Sequence, residues 1–243
     1  MWPFKKSVVN LKQSGFFNGL TDWHSHVLPG VDDGIKTFED SLKVLDLYEE
    51  IGLKKLWLTP HIMEDYPNET SFLKEVYEEL KSKWKGNMEI CLASENMLDT
   101  LFEQRLEKND LLPIGDEGRH LLIETSYYTP PYGMDDMMDK AISSGYFLIL
   151  AHPERYRYME KDDYKRLRDK GILFQLNYLS LFGGYGEAAQ KKAEWMIAND
   201  MVEILGSDVH NYNAIINHIE NSKIQKNKID KLNDIKVLKT NLI

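Results

Sequence analysis

Two histidines separated by one residue give the first sign of chemistry in this chain. His24 and His26 lie in the segment Asp22-Trp23-His24-Ser25-His26. Side chains two positions apart point to the same side of an extended strand, and the apolar residues within 16–20 predict that such a strand enters here. Asp33 follows on the next loop. Two imidazoles on one face, with a carboxylate close behind, are typical of a divalent-metal site.

The same residue types recur at the ends of the other predicted strands. In parallel α/β folds the carboxyl ends of the strands form one rim, and functional sites are built there. A single histidine or carboxylate would more often be a surface residue, but five of the seven histidines fall in this set together. Nine ligands exceed one tetrahedral site and predict two or three ions. The predicted ligands are His24, His26, Asp33, His61, Glu95, Glu124, His152, Asp208 and His210.

The mixture of nitrogen and oxygen ligands indicates both the metal and the reaction. Imidazoles with carboxylates suit manganese, iron or zinc better than calcium or magnesium, which prefer oxygen alone. Clustered ions of this kind clamp a phosphoryl oxygen and lower the pKa of an attacking water. The ligand set therefore favours hydrolysis of a phosphate ester.

Further residues at the predicted rim are candidates for the chemical steps. Arg155 would hold a phosphate through two parallel hydrogen bonds, and the alternative is a surface ion pair with Glu154 or Glu160. A histidine or aspartate of the rim would protonate the leaving group, with His61 and Asp208 as candidates. These three residues, Arg155, His61 and Asp208, are the predicted catalytic residues.

Short apolar runs alternate with helical periodicity along the chain, and this pattern predicts a parallel sheet covered on both faces. Seven such units favour a barrel or near-barrel, with a doubly wound open sheet as the alternative. The strands are predicted over 54–59, 88–93, 120–124, 146–151, 172–177 and 201–206, after the one that carries His24. The helices are predicted over 39–51, 68–85, 97–109, 134–144, 161–170 and 186–199.

Length and charge limit the organisation and the partners of the protein. The 243 residues carry no internal repeat or clear linker, so we expect one domain over 1–243, with an N-terminal extension (1–19) and a C-terminal tail (222–243). The Lys/Asn-rich composition of the tail predicts an exposed, weakly held helix, with a partner-binding segment as the alternative. A net charge of −9 without a long basic cluster excludes a nucleic-acid or anionic-membrane surface. The oligomeric state stays open.

The single cysteine favours a reducing compartment. The sequence also lacks the motifs of several other catalytic mechanisms. Cys91 cannot form a disulfide within the chain, and neither a signal peptide nor a membrane-spanning run is predicted, so a cytoplasmic location is expected. A cysteine-based phosphatase needs an arginine six positions after its nucleophile, where this chain has Met97. Cys91 lies in an apolar strand and is expected to be buried and inert. The chain has no phosphate-binding P-loop, dinucleotide fingerprint or nucleophile elbow.

Taken together, the motifs resemble those of the PHP (polymerase and histidinol phosphatase) family, and more narrowly the bacterial tyrosine phosphatases of capsule and exopolysaccharide synthesis. The resemblance implies a distorted β/α barrel of seven units and metal binding by the same nine residues. It also implies manganese and a phosphotyrosine substrate on a membrane-bound tyrosine autokinase. The motifs that carry it are DWHSHVLPGVDDG at 22–34, TPH at 59–61, ASE at 93–95, LLIE at 121–124, AHPER at 151–155 and GSDVHN at 206–211.

The chain departs from this pattern after His210. Relatives often carry a basic residue there, whereas Asn211-Tyr212-Asn213 follows here and leaves Arg155 as the predicted rim cation. The sequence therefore predicts a metal-dependent protein-tyrosine phosphatase. Two alternatives stay open: a phosphatase for a small molecule such as histidinol phosphate, and a non-catalytic binding module that contains metal.

Overall fold

Parallel strands alternate with helices throughout the chain, and the computed structural model of the protein describes residues 8–238. Its strands are β1 (Val8–Asn10), β2 (Thr21–Asp22), β3 (Lys55–Leu58), β4 (His61–Ile62), β5 (Glu89–Leu92), β6 (Glu95–Met97), β7 (His120–Glu124), β8 (Phe147–Ala151), β9 (Leu173–Asn177), β10 (Ile204–Gly206) and β11 (Lys223–Gln225). Its helices are α1 (Phe38–Glu50), α2 (Thr70–Lys83), α3 (Thr100–Lys108), α4 (Met134–Ser143), α5 (Lys161–Asp169), α6 (Gly186–Ala198), α7 (Tyr212–Asn221) and α8 (Lys226–Leu238).

The parallel strands curl into a distorted barrel. β4, β6, β7, β8, β9 and β10 pair in that order, and β2, β3 and β5 form a second parallel group. β3 continues into β4 and β5 into β6, so the two groups share two interrupted strands. The ring closes where Trp23 N donates to Leu205 O at 3.0 Å and Asp208 N donates to His24 O at 2.8 Å. The predicted α/β barrel is confirmed, and the open sheet is not formed.

Side chains of the strands alternate between two apolar layers. Leu122 and Ile149 belong to a small cluster inside the barrel, while Leu121 and Ile123 join the larger core shared with the helices. This is the period of two expected for strands that are covered on both faces. Glu124 follows Leu122 by two residues, so it continues the inward-facing series at the carboxyl end of β7.

Side chains cap the starts of α1 and α3. Thr37 caps α1, because its side chain accepts a hydrogen bond from Asp40 N at 3.2 Å. The predicted helix from Met97 begins later, since Met97 pairs in β6 and the Asp99 side chain caps α3 instead. The strand predicted through residues 16–20 is also wrong. That segment is a turn, and only Thr21–Asp22 is extended.

The C-terminal tail packs against the barrel, so the prediction of an exposed helix is wrong. β11 pairs antiparallel with β1, and the described part of α8 buries Ile229, Leu232 and Ile235. The sequence signal for this face was present, because the three residues recur at helical spacing. Residues 1–7 of the predicted extension, where no signal peptide is expected, and 239–243 of the tail lie outside the described residues.

None of the described helices combines the length and the apolar character that crossing a membrane requires.

Replacing Leu232 by alanine tests the packing of α8. The Leu232 side chain is fully buried, so its truncation is expected to lower the free energy of unfolding by about 2–5 kcal/mol in denaturant titrations. Lys231→Ala, at the exposed neighbouring position, is the control and is expected to change it by less than about 0.5 kcal/mol. Equal, small effects of both substitutions would contradict the packing described here.

Candidate metal centre

All nine predicted ligands converge at the carboxyl-terminal rim of the barrel. They form four overlapping groups, and within each group the potential ligand atoms lie within 4.8 Å of one another. The strand ends bring these residues together from positions up to 186 apart in the chain. The groups are His24, His26 and Glu95; His61, Glu95 and Glu124; His24, His152 and Asp208; and His26, Asp33, His61 and His210.

The carboxylate of Glu95 is the centre of the cluster. Its Oε2 lies 3.1 Å from His24 Nε2, 3.2 Å from His26 Nε2 and 3.2 Å from His61 Nδ1. Its Oε1 lies 3.0 Å from His152 Nε2. Glu95 has no solvent exposure, and it begins β6 just after the break that separates β5 from β6. The break in the strand therefore places a charged group inside the barrel.

The spacing of these atoms fits metal ligands better than a hydrogen-bond network. Both carboxylate oxygens of Glu95, Oε1 of Glu124 and Nδ1 of His61 are buried without an aligned hydrogen-bond partner, an arrangement that is costly unless something else satisfies them. Ligand atoms about 2.1 Å from a shared ion lie about 3.0 Å apart when they subtend a right angle. The residues present thus fit divalent ions, with Glu95 belonging to two of the groups.

The pKa values of Glu95 and Glu124 reflect the charges that surround these two carboxylates. Burial by itself raises the pKa of Glu95, but the neighbouring charges of His24 and His61 outweigh it and hold the pKa well below its usual value. The pKa of Glu124 is instead raised, by burial and by the negative charge of Glu95. Two adjoining carboxylates in a buried site need positive charge nearby, which imidazolium groups or metal ions supply.

The surroundings of His152 keep its imidazole neutral, which is the form suited to binding metal. Burial, together with the positive charge of Arg155, lowers the pKa of its imidazole to about 4. The ring is therefore neutral near pH 7, and neutral imidazole is the form that binds metal ions. His152 itself lies in the left-handed region at φ 33°, as does Asp208 at φ 55°. Such conformations are strained in residues other than glycine and concentrate at functional sites.

A second layer of polar residues orients the imidazoles. His24 Nδ1 donates to Gln175 Oε1 at 2.8 Å, and His26 Nδ1 to Asp32 Oδ2 at 2.8 Å. Both histidines then present Nε2 to the cluster, an arrangement common among metal ligands. Neither Gln175 nor Asp32 is predicted from the sequence as part of the site. Gln175, a polar residue inside the apolar strand β9, was the available signal, and Asp32 stood beside the predicted ligand Asp33.

Arg155 lies at the rim and forms an ion pair with neither Glu154 nor Glu160, the two surface partners considered as its alternative role. Its guanidinium lies between the rings of Tyr127 (4.4 Å) and Tyr185 (4.2 Å), and its Nη1 pairs with Asp208. Glu154 points instead into the protein, where it accepts hydrogen bonds from the backbone N of residue 177 and from Oγ of residue 180.

Asn211 and Cys91 do not belong to the ligand groups. The Asn211 side chain caps α7 by accepting a hydrogen bond from Ala214 N at 3.1 Å. Cys91 is half-buried, so the prediction that it is buried is wrong. Partial burial and the neighbouring Glu89 raise the pKa of the thiol to about 11, which keeps it protonated near neutral pH.

Comparison with known proteins identifies the family. The model of the capsular polysaccharide synthesis family CpsB/CapC matches residues 20–241. The chain belongs to the CpsB/CapC family. It is 27% identical over 199 residues to the tyrosine-protein phosphatase YwqE of Bacillus subtilis, covering 79% of this chain and 78% of that protein. It is also 27% identical over 215 residues to the tyrosine-protein phosphatase CpsB of Streptococcus pneumoniae, with 80% and 84% covered.

Solved structures share the fold of this family member. One comes from crystal structures of YwqE and CpsB, described as metal-dependent tyrosine phosphatases, and matches with a TM-score of 0.75 at 23% identity, covering 90% of this chain and 87% of that chain. The phosphotriesterase homology protein of Escherichia coli, with phosphate in its active site, matches with a TM-score of 0.50 at 12% identity, covering 83% and 84%. Both likenesses confirm the predicted barrel.

Replacing Glu95 by glutamine tests the role of this carboxylate. The neutral amide is a poor ligand, so we expect Glu95→Gln to bind at least one manganese ion fewer per chain than the wild type, and to lose most of the thermal stabilisation that manganese gives. Glu89→Gln, on the exposed side of β5, is the matched control and keeps the wild-type values. Elemental analysis with thermal melts checks both. An unchanged metal content in Glu95→Gln would contradict the assignment.

Proposed function

We propose that this protein is a metal-dependent phosphatase that hydrolyses phosphotyrosine on proteins. The observation that carries the proposal is the Glu95-centred ligand cluster with Arg155 beside it on the rim. Membership of the CpsB/CapC family supports the reaction class, because the relatives at 27% identity are named tyrosine-protein phosphatases. The half-buried, protonated Cys91 supports a mechanism without a cysteine nucleophile.

We propose two or three divalent ions, manganese first, held by the nine rim ligands. Glu95 belongs to two of the four ligand groups, so its carboxylate oxygens would help to hold an ion in each of them. Asp33, His61 and His210 form the more exposed end of the cluster, whereas His24 and His152 lie at its buried end. When bound, such ions supply Lewis-acid activation of a phosphoryl oxygen and of water.

The protein's own residues bind and orient the phosphate. We propose that Arg155 donates to its non-bridging oxygens, since only Nη1 of the guanidinium is paired with Asp208. The rings of Tyr127 and Tyr185 hold the guanidinium plane in place, which lowers the entropy lost when it binds an anion. Asp208 is surrounded by donors, including Asn177 Nδ2 at 2.8 Å, and stays ionised. Its proposed part in catalysis is therefore to position Arg155.

His61 is the proposed hydrogen-bond donor to the departing tyrosyl oxygen: with Nδ1 turned to the ions, its Nε2–H would stay on the ring and stabilise the negative charge of the leaving group. Its ring lies between Glu124, at 2.9 Å from Nδ1, and Asp33, at 3.5 Å from Nε2. Asp33 is half-exposed and Glu124 is buried, so the Nε2 side of the imidazole faces the open end of the cluster. That side is where a leaving group would separate into solvent.

We further propose where the protein acts and on what. The family description places it in capsular polysaccharide synthesis, and a membrane-bound tyrosine autokinase is the proposed phosphoprotein substrate. A single cysteine that forms no disulfide within the chain supports a cytoplasmic location.

Hydrolysis assays with added manganese test the proposed function. The wild type is expected to release phosphate from a phosphotyrosine peptide, to lose this activity with a chelator and to regain it with manganese. Cys91→Ser is expected to keep the activity, because the thiol takes no part. Histidinol phosphate is assayed in parallel.

The assay also separates the alternatives. Turnover of histidinol phosphate without turnover of the peptide would indicate a small-molecule phosphatase. Bound metal without any turnover would indicate a binding module. Loss of peptide hydrolysis in Cys91→Ser would contradict the metal-based mechanism.

A further inference from the structure

A cavity of about 510 Å³ lies beside the metal cluster and contains Arg155. Its walls come from three segments: the loop after β7, the 3-10 turn after β8 with the residues that follow it, and the start of α6. The volume is in the range of ligand-binding clefts. It is larger than the phosphate needs, so a substrate bound at Arg155 would place neighbouring groups in it.

Part of the positive charge that lines this cavity is not paired with a carboxylate of the described residues. Among the described residues, neither Arg157 nor Lys192 has a carboxylate within ion-pair distance. Lys192 donates to the backbone carbonyls of Tyr156 and Met159 at 2.6 and 2.7 Å. Glu187 is already paired with a lysine of its own helix at 2.6 Å. In a chain with net charge −9, this wall is locally cationic.

Arg157 is the exposed cation of the cavity, and its backbone is fixed. Its N donates to Tyr127 O at 2.8 Å, which ties it to the loop after β7. Its guanidinium lies 4.8 Å from the ring of Tyr128, a side chain that is 64% exposed. A guanidinium held on an exposed aromatic ring keeps its N–H edge free for a carboxylate.

The spacing of the two arginines matches that of neighbouring residues in a peptide. Arg155 and Arg157 are two positions apart, so their Cα atoms lie at most about 7 Å from each other. Side chains one or two positions apart in an extended polypeptide span a similar distance. A peptide whose phosphate binds at Arg155 can therefore present a nearby carboxylate to Arg157.

We infer that Arg157 and Tyr128 form a subsite for an acidic side chain close to the phosphotyrosine of a polypeptide substrate. The inference rests on the proposed function and adds a preference among peptides. It assigns to Arg157 a role in substrate selection that is separate from the phosphate contact of Arg155. Opposite charge at an exposed subsite changes binding modestly and is screened by salt.

Steady-state kinetics with three phosphotyrosine peptides test the subsite. The peptides are identical except that the residues flanking the phosphotyrosine are glutamates, glutamines or lysines. At low ionic strength we expect the wild type to prefer the acidic to the basic peptide by about tenfold in kcat/KM, mostly through KM. Arg157→Gln should reduce this ratio to near one, and Arg157→Glu should reverse it. At 1 M salt the ratio should fall toward one.

Arg119→Glu is the matched control. Arg119 is also an exposed arginine over an aromatic ring, at 5.0 Å from Phe147, but it precedes β7 at the opposite end of the barrel. This variant is expected to keep the wild-type preference. Turnover of p-nitrophenyl phosphate, which has no flanking residues, normalises each variant for the amount of intact active centre.

The outcomes separate the subsite from the proposed function. Equal hydrolysis of the three peptides by the wild type, or an unchanged preference in Arg157→Glu, would overturn the inference and leave the phosphatase function standing. A wild type that hydrolyses p-nitrophenyl phosphate but no phosphotyrosine peptide would overturn both.

Discussion

The buried carboxylate of Glu95 is the constraint on which the rest of the site depends. A carboxylate without solvent exposure is tolerated only when positive charge or hydrogen-bond donors surround it. Here the surrounding groups are imidazoles, four of which bring a ring nitrogen within 3.2 Å of Glu95. Their alignment does not satisfy its oxygens through hydrogen bonds. The cluster is therefore suited to hold divalent ions, and the barrel supplies the geometry that brings the candidate ligands together.

The barrel brings the groups that surround Glu95 together because its short strands end at the same level. The hydrogen bond from Asp208 N to His24 O closes the ring beside the ends of β2 and β10 and joins two of the predicted ligands at the same time. The contact that closes the barrel therefore also fixes the backbone of two residues of the candidate site. The same rim holds Arg155 between two tyrosine rings, next to the predicted ligand Asp208. A phosphate bound there would lie against both the cation and the metal ligands.

Much of this arrangement could be predicted from the sequence, because local patterns determine it. Apolar runs and helical periodicity give the strand and helix order, and parallel strands must end at a common rim. What the sequence could not show are contacts between distant segments. The support of His24 by Gln175 spans 151 positions, and the tyrosines that flank Arg155 come from two separate loops. The packing of Leu232 was predictable in principle from spacing, but the polar residues around it favoured an exposed helix.

The most direct test of the account is anomalous diffraction from manganese-soaked crystals, collected at the manganese absorption edge. We predict two or three anomalous peaks at the rim, with the Glu95 carboxylate between two of them and imidazole nitrogens about 2.1 Å away. A single peak, or peaks that make no contact with Glu95, would contradict the claim that this carboxylate organises a cluster of ions.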